Sequence, residues 1–426
     1  MSEMQKKKPR VCILGGGFGG LYTALRLESL VWADDKKPQV LLVDQSEHFV
    51  FKPMLYELLS GEVDAWEIAP RFSDLLANTG VVFLQDKVKL LSPSDHLASN
   101  GSSGSNCGGT VLLASGLLIE YDWLVLALGA ETKLDVVPGA ADFALPFSTL
   151  EDARVLTSRK VQLLLGYFVR CIRIASNSET TEIGASEDIA VQHSSDKYHL
   201  ELQPAEKGLE SQILEADIVL WTVGSKPLLS QLESYNRPHE LPLNARGQAE
   251  TDETLRVKGH PRIFALGDSS ALRDSGGKLL PATAQVAFQQ ADFTGWNLWA
   301  AINDRPLLPF RFQNLGEMMT LGRNDAAVSP SFIEGLTLEG PFGHAGRKIA
   351  YLIRLPTDEH RVKVGISWLT KSVIDSVASV QSTLTKVLSG SSDDPNSSLT
   401  SLEEAFELES HGKDMAHRLW QAHPFL

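Results

Sequence analysis

Short apolar runs that stop abruptly at glycine recur along this chain, and they predict most of its strands. Val11-Cys12-Ile13-Leu14 runs into Gly15-Gly16-Gly17-Phe18-Gly19-Gly20 and then into the helical spacing of Leu21 to Leu30: strand, turn, helix. A second apolar run, Val40-Leu41-Leu42-Val43, ends in Asp44, with Trp32 to Gln39 as an inserted loop before it. In the following Glu47 to Leu59, Pro53 suits the first turn of a helix, and an extended lead-in delivers Lys52 beside the glycine turn. Val81 to Leu84 and Lys87 to Leu91, which includes Val88, read as short strands. Ser92 to Gly109 is rich in Ser, Gly and Asn and predicts a long exposed hairpin loop with no chemistry. Thr110 to Leu113 and Leu117 to Glu120 pair as strands, and Tyr121 to Ala130 is a buried parallel strand ending at Gly129. Two more strand-to-glycine elements follow, Ala216 to Gly224 and Pro261 to Gly267-Asp268. After the second, a helix is expected from about Ala282 through Ala291.

The first glycine turn carries the sharpest chemistry. Gly15, Gly17 and Gly20 satisfy G-x-G-x-x-G, in which the first glycine allows the tight turn. The second lets backbone approach a pyrophosphate, and the third lets helix pack close to strand. Free N–H groups opening the helix then attract phosphate. Asp44, at the end of the next strand, is placed to bind ribose hydroxyls.

Composition narrows the partners. The chain has 426 residues, room for two to three domains, and 53 acidic against 39 basic side chains give a net charge of −14, which argues against nucleic acid. Cys12, Cys107 and Cys171 are far apart, so no disulfide framework, dithiol centre or metal site is expected. No run of about 18 apolar residues occurs to span a bilayer. Met1 to Arg10 has Lys6-Lys7-Lys8 and no apolar region, so no signal or transit peptide is expected in this chain.

Taken together, the N-terminal glycine turn, the strand ending near Gly129, Gly267-Asp268 and the Ala284-Gln285 to Gln289-Gln290 helix resemble the two-dinucleotide-binding-domain flavoproteins. Phe51-Lys52-Pro53-Met54-Leu55-Tyr56-Glu57, Thr251-Asp252-Glu253-Thr254-Leu255 and Gly316-Glu317-Met318-Met319-Thr320-Leu321-Gly322 make the chain similar to type II (alternative, non-proton-pumping) NAD(P)H:quinone oxidoreductases of the plant plastid type. The resemblance implies an α/β fold, with a Rossmann-like FAD domain, a second Rossmann-like domain and a C-terminal membrane-associating region. It implies FAD as cofactor and NAD(P)H as co-substrate. Gly15, Gly16, Gly17, Phe18, Gly19, Gly20, Asp44, Lys52, Pro53, Val88, Gly129, Gly267, Asp268, Ala282 and Gln285 would form the cofactor site, Asp268 on the ribityl chain. Gln285 and Gln289 would lie on the flavin and quinone side. The helix opening near Ala282 would point its N-terminus at the flavin's pyrimidine end.

One departure from the family concerns the other half of the reaction. Members carry a second G-x-G-x-x-G for NAD(P)H, and this chain has none. Thr149-Leu150-Glu151-Asp152-Ala153 resembles the approach to that unit, yet Val155 to Gly166 follows directly and reads as a strand from the unit's later part. The expectation is a truncated second domain: its first strand, phosphate turn and helix deleted, and NAD(P)H bound poorly or not at all. The domains would be 1–150 and 226–310 for FAD, 151–225 for the nucleotide-domain remnant, 311–390 for the quinone and membrane region, and 391–426 for a disordered tail with a short acidic helix at Leu402 to Leu408.

From Ala345 to Gly390 basic side chains outnumber acidic ones, and Leu369, Val373, Val377, Val380, Leu384 and Val387 recur at helical spacing. This basic amphipathic stretch suits an anionic membrane surface from which a lipid quinone would enter, and equally suits packing on the protein's own core or in a homodimer. By the resemblance the protein sits on an organelle membrane, chloroplast or mitochondrion, and reduces a prenylated quinone of the plastoquinone or phylloquinone-precursor kind. The competing reading is a catalytically silent flavin-binding variant. A sulfide- or disulfide-handling flavoprotein is disfavoured, because no cysteine pair accompanies the flavin motifs.

Overall fold

β1 (Arg10–Leu14) forms where Val11, Cys12, Ile13 and Leu14 leave nothing polar to expose; each is at most 1% exposed, as in a strand covered on both faces. The chain turns at Gly15 into α1 (Phe18–Ser29) and returns as β2 (Gln39–Asp44), parallel to β1. A 3-10 turn at Lys52–Met54 has Pro53 in its first positions, as expected, and leads into α2 (Leu55–Ser60), α3 (Ala65–Ile68) and α4 (Phe72–Leu76). β3 (Val82–Gln85) joins β2 in parallel. β4 (Val88–Pro93), β5 (Gly109–Leu113) and β6 (Leu118–Tyr121) form an antiparallel meander. β7 (Trp123–Leu126) then runs beside β1, in parallel.

The next stretch contains β8 (Ala130–Thr132), α5 (Ala140–Phe143), β9 (Ala144–Pro146) and α6 (Leu150–Val155). A second antiparallel meander follows, β10 (Tyr167–Ile174), β11 (Tyr198–Pro204) and β12 (Gln212–Ala216). β13 (Val219–Trp221) pairs in parallel with β9, and β14 (Ser225–Pro227) antiparallel with β8. β15 (Ile263–Ala265) completes the first sheet beside β7, in the order β15-β7-β1-β2-β3. α7 (Ala284–Ile302) packs along α1. The computed structural model describes residues 8–33, 35–95, 108–155, 167–175, 197–205, 209–232, 241–322, 325–333 and 335–372.

The second meander and its flanks repeat the later half of the first module. In the first, β4-β5-β6 precedes β7, which ends before Gly129 at φ +72° and lies parallel to β15. In the second, β10-β11-β12 precedes β13, which ends before Gly224 at φ +79° and lies parallel to β9. The difference is on the far side: β7 has β1 there, whereas among the described residues β13 pairs with β9 alone. No counterpart of β1, α1, β2 and β3 occurs among the described residues of this region. Several of its apolar side chains face water, Phe168 at 66% and Ile213 at 69% exposed, together with Leu220 and Val223.

The structure corrects three expectations. Val155 ends α6 rather than opening a strand, and residues 156–166, the remainder of that expected strand, lie outside the described residues. Ala282 precedes α7: Thr283 caps the helix through Oγ1, which accepts the Val286 N–H, because a hydroxyl is a better cap than the small apolar side chains beside it. The Ser92 to Gly109 stretch is not wholly exposed. Asp95 is buried, bonds His260 Nδ1 at 2.8 Å and accepts the Arg262 N–H at 2.9 Å, so it ties the first hairpin to the turn before β15. Burying such a carboxylate requires partners, and these two are distant in sequence.

The chain divides into two compact units, Met1–Phe312 and Gln313–Leu426. In the second, β16 (Gly316–Gly322) and β17 (Asp325–Pro330) form a hairpin, α8 (Gly340–Arg354) packs on β17, and α9 spans 358–372. Of the apolar series expected from Leu369 to Val387, Leu369 is on α9 and the rest, with the 391–426 tail, lies outside the described residues.

Candidate functional site

Four parallel strands, β15, β7, β1 and β2, bring their carboxyl ends to one edge of the first sheet. At that edge stand the Gly267-Asp268 turn, Gly129 directly after Leu128, the glycine turn at Gly15, and Asp44. Crevices of this kind are where open α/β sheets bind ligands.

Each glycine of the first turn answers a different demand. Gly15 has φ +98°, and a Cβ on it would lie 2.2 Å from the Ala127 carbonyl oxygen. A Cβ on Gly20 would lie 1.8 Å from the Gly15 carbonyl oxygen, on Gly16 2.4 Å from the Phe72 ring, and on Gly19 2.9 Å from Leu266. Gly17 differs: its backbone is ordinary extended chain, it is exposed, and nothing lies within 4 Å of its absent Cβ. It also caps α1 without a side-chain bond, and the first turn of α1 has no acidic residue. Orphan N–H groups and partial positive charge therefore open onto space at Gly17, which fits a diphosphate.

Asp44 holds this turn in shape. Its Oδ2 accepts the Gly16 N–H at 2.6 Å and its Oδ1 the Ser46 N–H at 2.7 Å. Each oxygen keeps a lone pair for a hydroxyl. Burial pushes the Asp44 carboxyl up from its ordinary value, opposed by the two N–H bonds and by the charge of Lys52. Burial likewise pushes Asp268 up, again opposed by Lys52. One exposed lysine thus acts on both carboxylates, which places Lys52 where the sequence located it, beside the turn.

The other expected residues divide by role. Phe18 packs among Phe49, Phe51 and Phe288, at centroid separations of 5.4, 5.3 and 4.7 Å, joining α1 to α7. Val88 is buried in the core cluster with Leu14, Val111 and Leu126. Gly129 has φ +72° and open space around it, and Pro53 is half-buried. Gln285 and Gln289 are four residues apart, on one face of α7, and both are partly exposed. The first turn of α7 has no acidic residue to offset its positive end.

Sequence reasoning missed Gln290 and Gln248. Gln290 is 1% exposed and its Oε1 accepts the Gly267 N–H at 2.6 Å. Gln248 Nε2 donates to the Asp268 and Ser270 carbonyl oxygens, both at 3.2 Å. A signal for Gln290 existed: it shares helical spacing with Val286, Thr294 and Asn297, so a polar residue lies on the buried face.

The raised carboxyl of Asp268 gives a pH-dependent expectation. A carboxyl whose folded pKa exceeds its unfolded one adds stability below the unfolded value, and that contribution is lost as pH rises through the folded pKa. At neutral pH the ligand-free fold therefore bears the cost of an ionised, buried Asp268. Asp268→Asn is expected to melt higher than the unsubstituted protein at pH 7 without ligand, the advantage vanishing below the ordinary carboxyl value of 3.8. Thermal melts across pH check this, and equal melting at all pH values would contradict it. The same variant is expected to bind a polyol-bearing nucleotide about tenfold more weakly.

Among the described residues no group of His, Cys, Asp or Glu could hold a metal ion, and no helix is long and apolar enough to cross a membrane. Cys12 and Cys171 are free and buried; burial pushes the Cys12 thiol up to about 12, an unreactive state.

The pyridine nucleotide-disulphide oxidoreductase family model matches residues 9–175 and 169–291. The chain is 66% identical, over 456 aligned positions spanning 90% of it and 85% of the relative, to the alternative NAD(P)H-ubiquinone oxidoreductase C1, chloroplastic/mitochondrial, of Arabidopsis thaliana. It is 37% identical to the demethylphylloquinone reductase NdbB of Synechocystis sp., over 87% of this chain and 98% of that one. The alignment with the Arabidopsis protein is longer than this 426-residue chain, so part of that relative has no counterpart here. Among solved structures, NDH2 from Plasmodium falciparum in complex with NADH superposes with a TM-score of 0.64 at 14% identity, over 86% of this chain and 98% of that one. The sulfide:quinone oxidoreductase of Aquifex aeolicus gives 0.56 at 16% identity, over 81% and 90%, a likeness of fold.

Proposed function

Because the chain belongs to the pyridine nucleotide-disulphide oxidoreductases and, within them, to the alternative NAD(P)H:quinone oxidoreductases, we propose that it holds FAD at the glycine-turn edge and passes electrons to a prenylated membrane quinone. The family is flavin-dependent and uses NAD(P)H as substrate. The observation that carries the assignment to this edge is the opening at Gly17: unpaired helix-end amides with nothing filling the space before them.

FAD held at this edge would supply the redox chemistry between NAD(P)H and quinone. The chain's own residues bind and orient. The amides opening α1 would hold the diphosphate, Asp44 a ribose hydroxyl and Asp268 the ribityl chain. Lys52 would balance their two negative charges. The amino end of α7 favours negative charge developing before it by about 0.3 to 2 kcal/mol. Gln285 and Gln289 supply neutral amide donors suited to a quinone carbonyl. Neither requires a proton transfer of its own.

The finer parts of the proposal concern donor and membrane. Among the described residues the second module shows no counterpart of β1-α1-β2, pairs β13 with β9 alone and exposes Phe168 and Ile213, which supports the loss of the nucleotide's phosphate site. The Arabidopsis alignment, which is longer than this chain, is in keeping with such a loss. In the second unit Val362, Ile366 and Leu369 are 60 to 70% exposed on one face of α9, next in sequence to Arg361, Lys363 and Lys371. An apolar stripe with flanking cations suits an anionic membrane surface, chloroplast or mitochondrial, from which quinone would be drawn.

One experiment tests both quinone and membrane. Flavin-loaded full chain, reduced with dithionite without air, is expected to regain its oxidised spectrum on adding anionic vesicles that carry a long-chain prenylquinone. Changing Val362, Ile366 and Leu369 to Glu is expected to slow reoxidation by the vesicles about tenfold or more, and to leave reoxidation by a water-soluble short-chain quinone unchanged. No reoxidation by either quinone would remove the quinone assignment. Equal rates for variant and unsubstituted protein on vesicles would remove the membrane one.

A further inference from the structure

We propose that Gln290 is a positioning residue of the flavin site, which fixes Asp268 to α7 before any cofactor arrives; the inference rests on the reading that this edge binds FAD. The Gly267-Asp268 turn and the amino end of α7 come from elements separated by Ala271 to Thr283, a stretch without a helix and with exposed residues from Arg273 to Lys278. Chain connectivity alone therefore leaves their relation loosely set.

Gln290 supplies the missing constraint. It stands in the second turn of α7, is 1% exposed, and receives the Gly267 N–H at 2.6 Å. Gly267 has φ +59°, a conformation natural to glycine, and is half-buried, so its amide is served by this acceptor rather than left to compete for water. On the opposite side of the turn Gln248 donates to the carbonyl oxygens of Asp268 and Ser270, and the Ala249 N–H donates to the Ser269 carbonyl at 2.8 Å. The Asp268 carboxylate thus projects from backbone clamped before and after it. Burial opposes its charge and Lys52 favours it. Through Gln290 the same clamp sets how far the amino end of α7 stands from Asp268. Two groups expected to face different parts of one cofactor are held in register by the Gln290 side-chain oxygen, beside the Ala287 methyl that packs near Gly267.

Gln290→Met keeps the bulk and removes the acceptor; Gln290→Glu keeps an acceptor. Thr294→Val is the control, since Thr294 is a second buried polar residue on α7 whose hydroxyl has no partner. Q290M is expected to bind FAD about tenfold more weakly, with a changed visible flavin spectrum and midpoint potential, while Q290E recovers part of the affinity and T294V behaves as unsubstituted protein. Unchanged affinity and potential in Q290M would overturn the proposal. So would a loss of affinity matched by a fall in ligand-free melting temperature with spectrum and potential unaltered, since that is the signature of a purely structural residue. Hydrogen exchange on the unsubstituted protein gives a reading that needs no variant to fold: the Gly267 amide is expected to be protected without FAD, and fast exchange that slows only when FAD is added would contradict a preformed clamp. If unsubstituted protein takes up no FAD while its Gly267 amide is protected, the function above fails and the clamp stands.

Discussion

Gly17→Val is expected to cost the ligand-free protein no more than about 1 kcal/mol, the penalty of a poorer helix cap, and to lower its affinity for FAD by about a hundredfold or more. Valine is compatible with the backbone at Gly17, which is extended, and its methyl groups would enter space in which no protein atom lies within 4 Å of the Cβ position. That space is where a diphosphate must lie to reach the amides opening α1, so the side chain and the ligand compete for it. Gly20→Ala should behave in the opposite way. Its Cβ would sit 1.8 Å from the Gly15 carbonyl oxygen, and β1 and α1 would have to separate. Stability would fall first, and flavin binding with it. Equilibrium titration with FAD and thermal melts of the two variants check the pair. A G17V protein that binds FAD as well as the unsubstituted one would contradict the assignment of the turn.

The same division explains how much of the site the sequence could reveal. Gly15, Gly17 and Gly20, Asp44, Lys52 and Asp268 could be singled out because their placement is local: they lie at or next to strand ends and helix starts, and apolar runs mark those places. The parallel sheet followed from strands too apolar to have a wet face. Gln290, Gln248 and the Asp95–His260 pair were not legible as site or clasp, because each acts through a partner far away in the chain. The start of α7 was misplaced by two residues, since Pro281 and Ala282 are acceptable helix openers and only the Thr283 hydroxyl bond distinguishes them. In the second module the missing glycine motif was visible in the sequence. That β13 pairs with β9 alone among the described residues, and that Phe168 and Ile213 face water, became apparent only once strands could be paired.

If the nucleotide's phosphate site is lost as proposed, NADH or NADPH is expected to reduce the flavin of this chain at least about a hundredfold more slowly than it reduces that of the Arabidopsis relative under the same conditions, because several charge-assisted hydrogen bonds would go with it. Dithionite, which needs no binding site, should bleach both at once. The comparison isolates the donor side, because dithionite reaches the flavin without using the second module. Inserting the relative's unmatched segment into this chain is expected to restore rapid bleaching and to cover the apolar surface at Phe168 and Ile213, raising solubility as well. Rapid bleaching of the unaltered chain by micromolar nucleotide would show that the second module still binds its substrate. Slow bleaching after insertion would place the defect elsewhere.

The central claim is that helix-end amides at Gly17, with Asp44 and Asp268 beside them, hold a flavin nucleotide. Titrating folded, flavin-stripped protein with FAD while following its visible spectrum and flavin fluorescence tests it directly. Saturable binding of one FAD per chain, with a perturbed spectrum that is lost in G17V, is the predicted result; folded protein that stays colourless in excess FAD would contradict it.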